Sequence, residues 1–207
     1  EAATILDPGS DAVWTAVATA YLAEGNRLSD LGDQNGANLQ YANSAQAARK
    51  AITINPDNAT ALAYAAGGII LQGDPEKYEQ AEIFADDAVR LEPDNPIARY
   101  YMATVFTYQG RYTEAMEQYQ RGIEADPNDA STYHHWGIVL SRLGDSEGAM
   151  RRFQQAITVD RDYAPSYLNR GLLLLEKGEV SQGYREICRA AALEPKRAKY
   201  WNYRGLA

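Results

Sequence analysis

An all-α stack of paired antiparallel helices is the fold this sequence predicts, and three observations predict it. A proline-marked phrase returns every 34 residues, apolar residues fall at helical spacing on both sides of a glycine, and small residues recur at two fixed places in successive periods. Repetition at this length marks a solenoid, whose units are each too small to bury an apolar face alone and do so against their neighbours.

The phrase is an alanine five residues ahead of a proline: Ala3 and Pro8, Ala51 and Pro56, Ala88 and Pro93, Ala190 and Pro195. Gly122 stands five before Pro127 in the same way, and Ala156 five before Arg161, where the proline is lost. The marks at 93, 127, 161 and 195 are 34 apart. Within residues 96–129, Met102, Ala103 and Phe106 form one stripe, Gly110 breaks it, and Ala115, Tyr119 and Gly122 form a second. Such stripes around a glycine break describe a helical hairpin. Ala103, Gly137, Gly171 and Gly205 recur on the first helix of each pair, and Ala81, Ala115, Ala149 and Gly183 on the second. Side chains this small let two helices close to about 8 Å. Proline then stops the second helix and turns the chain into the next unit.

The units follow in order along one solenoid spanning 1–207. Residues 1–10 read as the end of a preceding repeat, with Ala3 to Pro8 as its last turns. Residues 11–58 form a long first repeat carrying Trp14, Val17, Ala18, Tyr21 and Gly25, then Tyr41, Ala48, Ala51 and Pro56. It has 48 residues, 14 more than the period, and the excess lies between Gly25 and Tyr41. Divided over two helices, that is about two extra turns on each and an overhang of roughly 10 Å, with the turn at Gly32 to Gly36. Leu28, Leu31 and Leu39 are expected to pack its tip. Residues 59–95 are the second repeat, three residues over the period around Asp74-Pro75-Glu76, which predicts a longer turn. Residues 96–129 and 130–163 are the third and fourth, the latter carrying Tyr133, Trp136, Gly137, Leu140, Gly144, Ala149, Phe153 and Ala156. Residues 164–197 are the fifth, with Tyr167, Gly171, Leu174, Gly178, Gly183, Ile187, Ala190 and Pro195. Residues 198–207, with Tyr200, Trp201, Tyr203 and Gly205, start a sixth. The partial units at both ends carry the expectation that the chain is a piece of a longer array or a larger protein.

Aromatic, large apolar, small, tyrosine, then alanine, aromatic and proline is the pattern these units share, and in it the chain resembles the tetratricopeptide-repeat family over its whole length. The resemblance implies a right-handed superhelical solenoid whose first helices line a concave groove. It also implies which positions face that groove: Tyr64 in the second repeat, and Tyr100, Tyr101, Thr104 and Tyr108 in the third. The fourth supplies His134, His135, Ile138 and Arg142, the fifth Leu168, Asn169 and Leu172, and the sixth Lys199, Asn202 and Tyr203. The first repeat offers small residues there, Ala12, Thr15, Ala16 and Thr19. Tyrosine combines contact area with a polar tip, so the tyrosine cluster suits recognition; its alternative is packing between neighbouring first helices. Members of the family that clamp the acidic C-terminus of heat-shock chaperones use lysines, asparagines and an arginine. Here His134 and Ile138 replace the opening pair, with Asn169, Lys199 and Tyr203 after them, so that ligand is not expected. An apolar or aromatic-anchored peptide, or a helix laid in the groove, fits better.

Composition and chemistry narrow the function further. With 20 basic against 28 acidic side chains the net charge is −8 and the pI about 4.8, which argues against nucleic-acid binding. No apolar run approaches the roughly 18 residues of a membrane span. Cys188 is the only cysteine, so an internal disulfide is impossible, and a catalytic role for it would need a histidine base that lies a repeat away. The adjacent His134 and His135 point about 100° apart on a helix and cannot chelate one ion as an i, i+4 pair would. Asp33 to Gly36 has the flavour of a calcium loop, but Leu31 and Ala42 hold its terminal ligand places. Gly67-Gly68 follows no strand and is no phosphate cradle. The expectation is a protein without cofactor, metal or catalysis, a scaffold holding a partner's peptide or helix in its groove. The alternatives are the recognition arm of a larger enzyme, and a segment that self-associates through its open ends, where Ile5 and Trp201 lie.

Overall fold

The computed structural model describes residues 7–195. The expected helix remnant at Ala3, the end-face Ile5, and the sixth-repeat residues Lys199, Tyr200, Trp201, Asn202, Tyr203 and Gly205 lie outside the described residues. Two compact units divide the chain, Glu1–Ala125 and Asp126–Ala207.

Among the described residues of the first unit six α-helices follow one another: α1 (Asp11–Asp30), α2 (Gln34–Ile54), α3 (Ala59–Ile70), α4 (Tyr78–Leu91), α5 (Pro96–Tyr108) and α6 (Tyr112–Ala125). Their starts are set by side-chain caps that take up amide hydrogens left over in a first turn. Asp33 accepts from the Gly36 amide at 2.9 Å, Asn58 from Ala61 at 2.8 Å, and Asn95 from Ile97 at 2.9 Å. Hairpin turns reverse at Gly32, Gly73 and Gly110, whose φ values of 85°, 70° and 77° are left-handed and favour glycine. The three-residue excess of the second repeat forms a 3₁₀ turn, Pro75–Lys77, capped by the Asp74 carboxylate.

Each helix packs on the next, and first helices also touch each other, α1 on α3 and α3 on α5. Leu22, Tyr41, Leu62, Ala63, Ala88, Ala98 and Tyr101 form the main core. Ala81, Ala103 and Ala115, the small positions of the repeat, are fully buried where the helices meet. The first hairpin is longer than the second: α1 has 20 residues and α2 has 21, against 12 in α3 and 14 in α4. Its tip is built otherwise than expected. Leu31 and Leu39 are 43% and 59% exposed, and only Leu28 turns toward the core. The hairpin is locked lower down by Tyr41, which is buried against Gly25 and donates its hydroxyl to Asn26 Oδ1 at 3.0 Å. Leucines on the outer faces of an overhang have no neighbouring hairpin to pack on.

The second unit contains α7 (Ala130–Arg142), α8 (Ser146–Val159), α9 (Ala164–Glu176) and α10 (Val180–Leu193). Asp129 caps α7 through the Ser131 amide at 3.0 Å, and Asp145 caps α8 through Gly148 at 2.8 Å. Helices α7 and α8 close with the Phe153 ring against Gly137. In α9 and α10 the backbones themselves touch: a Cβ on Gly171 would stand 2.9 Å from the Gly183 carbonyl oxygen, and one on Gly183 would stand 2.8 Å from that of Gly171. Ala164, Leu168, Ile187, Ala190 and Ala191 fill the core beside them. Among the described residues every regular element is helical.

Candidate functional site

The first helices α3, α5, α7 and α9 carry the residues expected to face a ligand, and the structure sorts them into exposed and buried. In the first unit Tyr64 and Tyr100 are half-buried, and Tyr108 is 40% exposed. Tyr108 meets Tyr78 edge to face, ring centroids 6.1 Å apart. Tyr78 opens α4 directly after the inserted turn; sequence reasoning passed it over, and its only signal was that neighbouring insertion.

Tyr101 is a correction. It is 8% exposed and belongs to the core, packed on Tyr64 at 5.8 Å and on Tyr100 at 5.0 Å between centroids. Its ring fills the space left by the missing side chain of Gly67, where a Cβ would come 2.4 Å from Tyr101 Cε1. Packing between neighbouring first helices is thus its role. Thr104 is a second correction: it is buried, and its hydroxyl donates to the Tyr100 carbonyl one turn back at 2.9 Å.

In the second unit His134 and Leu168 are corrected in the same sense. His134 is 5% exposed, with Nδ1 2.9 Å from Ser166 Oγ and its ring against Phe153 and Tyr163. It ties α7 to α9 as a hydrogen-bonded core histidine. Leu168 lies in the α9–α10 core. His135 points elsewhere: half-buried, it donates Nδ1–H to the Ser131 carbonyl at 2.8 Å, and burial holds its imidazole below the usual histidine range. One ring nitrogen of each histidine is thus held by a different partner. Burial likewise pushes the Tyr163 phenol up to about 12.

Of the remaining expected residues Arg142 is exposed and Ile138, Asn169 and Leu172 are half-buried, Ile138 and Leu172 packed against the neighbouring cores. Arg142 is exposed and makes no ion pair among the described residues. Asn169 is half-buried, and its amide makes no hydrogen bond among them. An asparagine amide in that state offers both a donor and an acceptor. Ile138 and Leu172, 34 residues apart, occupy equivalent repeat positions on the two helices. Among the described residues no group of three His, Cys, Asp or Glu side chains is placed to hold a metal ion, and no helix is long and apolar enough to cross a membrane.

Helix pairs closed through small residues, with polar and aromatic groups left on the first helices, define a helical-repeat protein. The family model for the TPR repeat matches residues 103–144. The fold of the chain is that of solved repeat proteins. TTC0263, a thermophilic TPR protein in Thermus thermophilus, superposes with a TM-score of 0.71 at 17% identity, covering 91% of this chain and 97% of that one. MamA does so at 0.61 and 22%, covering 85% and 97%. YrrB, described as a TPR protein with an unusual peptide-binding site, does so at 0.58 and 20%, covering 98% and 96%. No curated protein matches the chain in sequence.

Proposed function

We propose that this protein is a non-catalytic interaction scaffold that holds a partner peptide or helix against its first-helix faces. What supports the reading is that on α7 and α9 the amide of Asn169 has no hydrogen bond among the described residues, Arg142 is exposed, and His135, Ile138 and Leu172 are half-buried. A solvent-accessible amide with no partner in the chain is able to bond a ligand's backbone as donor and acceptor, and aliphatic groups contribute about 25 cal/mol per Å² of apolar surface covered. In the first unit Tyr64, Tyr100 and Tyr108 offer a separate aromatic surface of the same kind. The tetratricopeptide fold supports a protein partner.

Two serine–histidine contacts occur among the described residues, Ser131 with His135 and Ser166 with His134, and the tighter of them is sealed in the core. Ser166 is fully buried and His134 nearly so, and neither reaches a substrate. Cys188 lies on α10, away from both histidines, which are on α7. Affinity capture with the wild-type protein and an Asn169→Ala, Arg142→Ala double variant tests the reading, with circular dichroism confirming that the variant is folded. A partner held by the wild type and lost by the variant supports it; a partner held equally by both overturns the assignment to α7 and α9.

A further inference from the structure

The second unit has another concavity, on the side of its second helices. A cleft of about 660 Å³ opens between α8, α9 and α10, away from Asn169 and its neighbours. That volume lies within the range of ligand sites, roughly 300–1,000 Å³. Met150 and the buried Leu174 give it an apolar floor. Arg170 crosses the floor, 14% exposed, pairing with Glu186 Oε2 at 2.7 Å and donating to Gln154 Oε1. At one end Glu147 is neutralised by Lys177. These pairs hold the walls in place.

What they leave over is cationic. Helices α8 and α10 carry Arg151, Arg152, Arg185 and Arg189 against Glu147 and Glu186, in a protein whose net charge is −8. On α4 and α6 the balance is reversed: Glu79, Glu82, Asp86 and Asp87 against Arg90, and Glu114, Glu117 and Glu124 against Arg121. Arg152 is spent on the Trp136 ring, 3.4 Å from its centroid, and Arg189 lies 3.5 Å from Asp162. Arg151, on the rim of the cleft, and Arg185, one turn along from Gln182, make no ion pair among the described residues. The Gln182 side-chain amide, lining the wall, makes no hydrogen bond there either.

We infer that this cleft binds an extended acidic peptide segment of a partner protein. A carboxylate pairs with Arg151, Gln182 bonds the peptide backbone in the manner of a strand neighbour, and an aliphatic side chain rests on Met150 and Leu174. An apolar floor and an amide wall select a peptide over a bare polyanion, which needs phosphate contacts alone.

Fluorescence anisotropy of the full chain with a labelled peptide of glutamates around a central leucine tests this, against the same peptide with glutamines. The wild type is expected to prefer the acidic peptide, in a salt-sensitive manner. Arg151→Glu weakens binding by about tenfold and Gln182→Ala by a smaller factor, while Asn169→Ala leaves it unchanged. Absence of a preference for glutamate, equal binding by Arg151→Glu, or loss through Asn169→Ala would each overturn the inference. So would competition by polyuridylate as strong as by the unlabelled peptide. Because the Asn169 variant reports on the first-helix surface and the Arg151 variant on this cleft, each proposal fails separately.

Discussion

The Tyr101 ring occupies the place of a side chain that Gly67 lacks: a Cβ there would come within 2.4 Å of Tyr101 Cε1. A helical glycine usually gains about 1 kcal/mol when replaced by alanine. Here the ring is buried and has nowhere to swing. Gly67→Ala is therefore expected to destabilise the protein by about 1–3 kcal/mol through overpacking. Thermal unfolding measures it, and the double variant with Tyr101→Leu should recover part of the loss. An unchanged or raised midpoint in the single variant would refute the close fit.

Replacing His134 by leucine keeps the volume near that of the ring but strips the fully buried Ser166 hydroxyl of its bond. A loss of about 1–3 kcal/mol is expected from the unsatisfied hydroxyl. Adding Ser166→Ala should restore most of it, so a double-mutant cycle in urea will show strong coupling. Additive losses would mean that the two groups do not depend on each other.

Burial lowers the affinity of His135 for a proton, and the sign of the pH effect follows. Above about pH 6.5 the imidazole is neutral in both folded and unfolded chains and contributes no slope. As pH falls below that, the unfolded chain takes up a proton that the folded one refuses, so stability declines until the lowered folded value is reached. His135→Gln should flatten this part of the profile. Tyr163 gives the mirror image: with its phenol raised to about 12, stability falls as unfolded tyrosine ionises above about 10. Tyr163→Phe should remove that alkaline contribution.

On the long hairpin, depth decides the outcome. Leu39→Lys changes an exposed side chain and should shift stability by no more than about 0.5 kcal/mol. Tyr41→Ala removes the buried ring beside Gly25 and should cost about 3–5 kcal/mol. Urea midpoints for the two variants check the contrast; similar losses would mean that the leucine tip is packed.

Asn58 both caps α3 and reaches back to α1, with its Nδ2 donating to Asp11 Oδ2 at 2.9 Å and to Thr15 Oγ1 at 3.2 Å. Asn58→Ala is expected to cost about 1–2 kcal/mol, the high end of a cap, because both functions go together. Asn58→Asp keeps the cap acceptor, loses the donor and brings a carboxylate beside Asp11. Calorimetry should place it below wild type, and a midpoint equal to wild type would show that the bridge to α1 contributes nothing.

Much of this architecture was legible before any coordinate. The proline marks, the paired stripes and the recurring alanines located every described hairpin, and the 14-residue excess located the long one, because these features act within a helix or a turn. The candidate surface was less legible. Tyr100 and Tyr101, like His134 and His135 or Leu168 and Asn169, are neighbours about 100° apart on one helix, and both members of each pair border the same apolar stripe. In α7 and α9 the first of the pair enters the core, His134 on Ser166 and Leu168 among Ile187 and Ala190. In α5 the second enters it, since Gly67 on α3 leaves a space of the right size for Tyr101. The cleft of Arg151 and Gln182 left no linear mark at all, as its walls come from three helices.

Local periodicity and turn chemistry, written in the sequence, determined that the chain folds as helix pairs and where each pair begins and ends. Only the tertiary structure decided which side chains are spent on the core and which stand open to a ligand. That choice rests on the shape of the facing helix, and a glycine there or a serine 32 residues on from a histidine acts through space, where sequence spacing carries no signal.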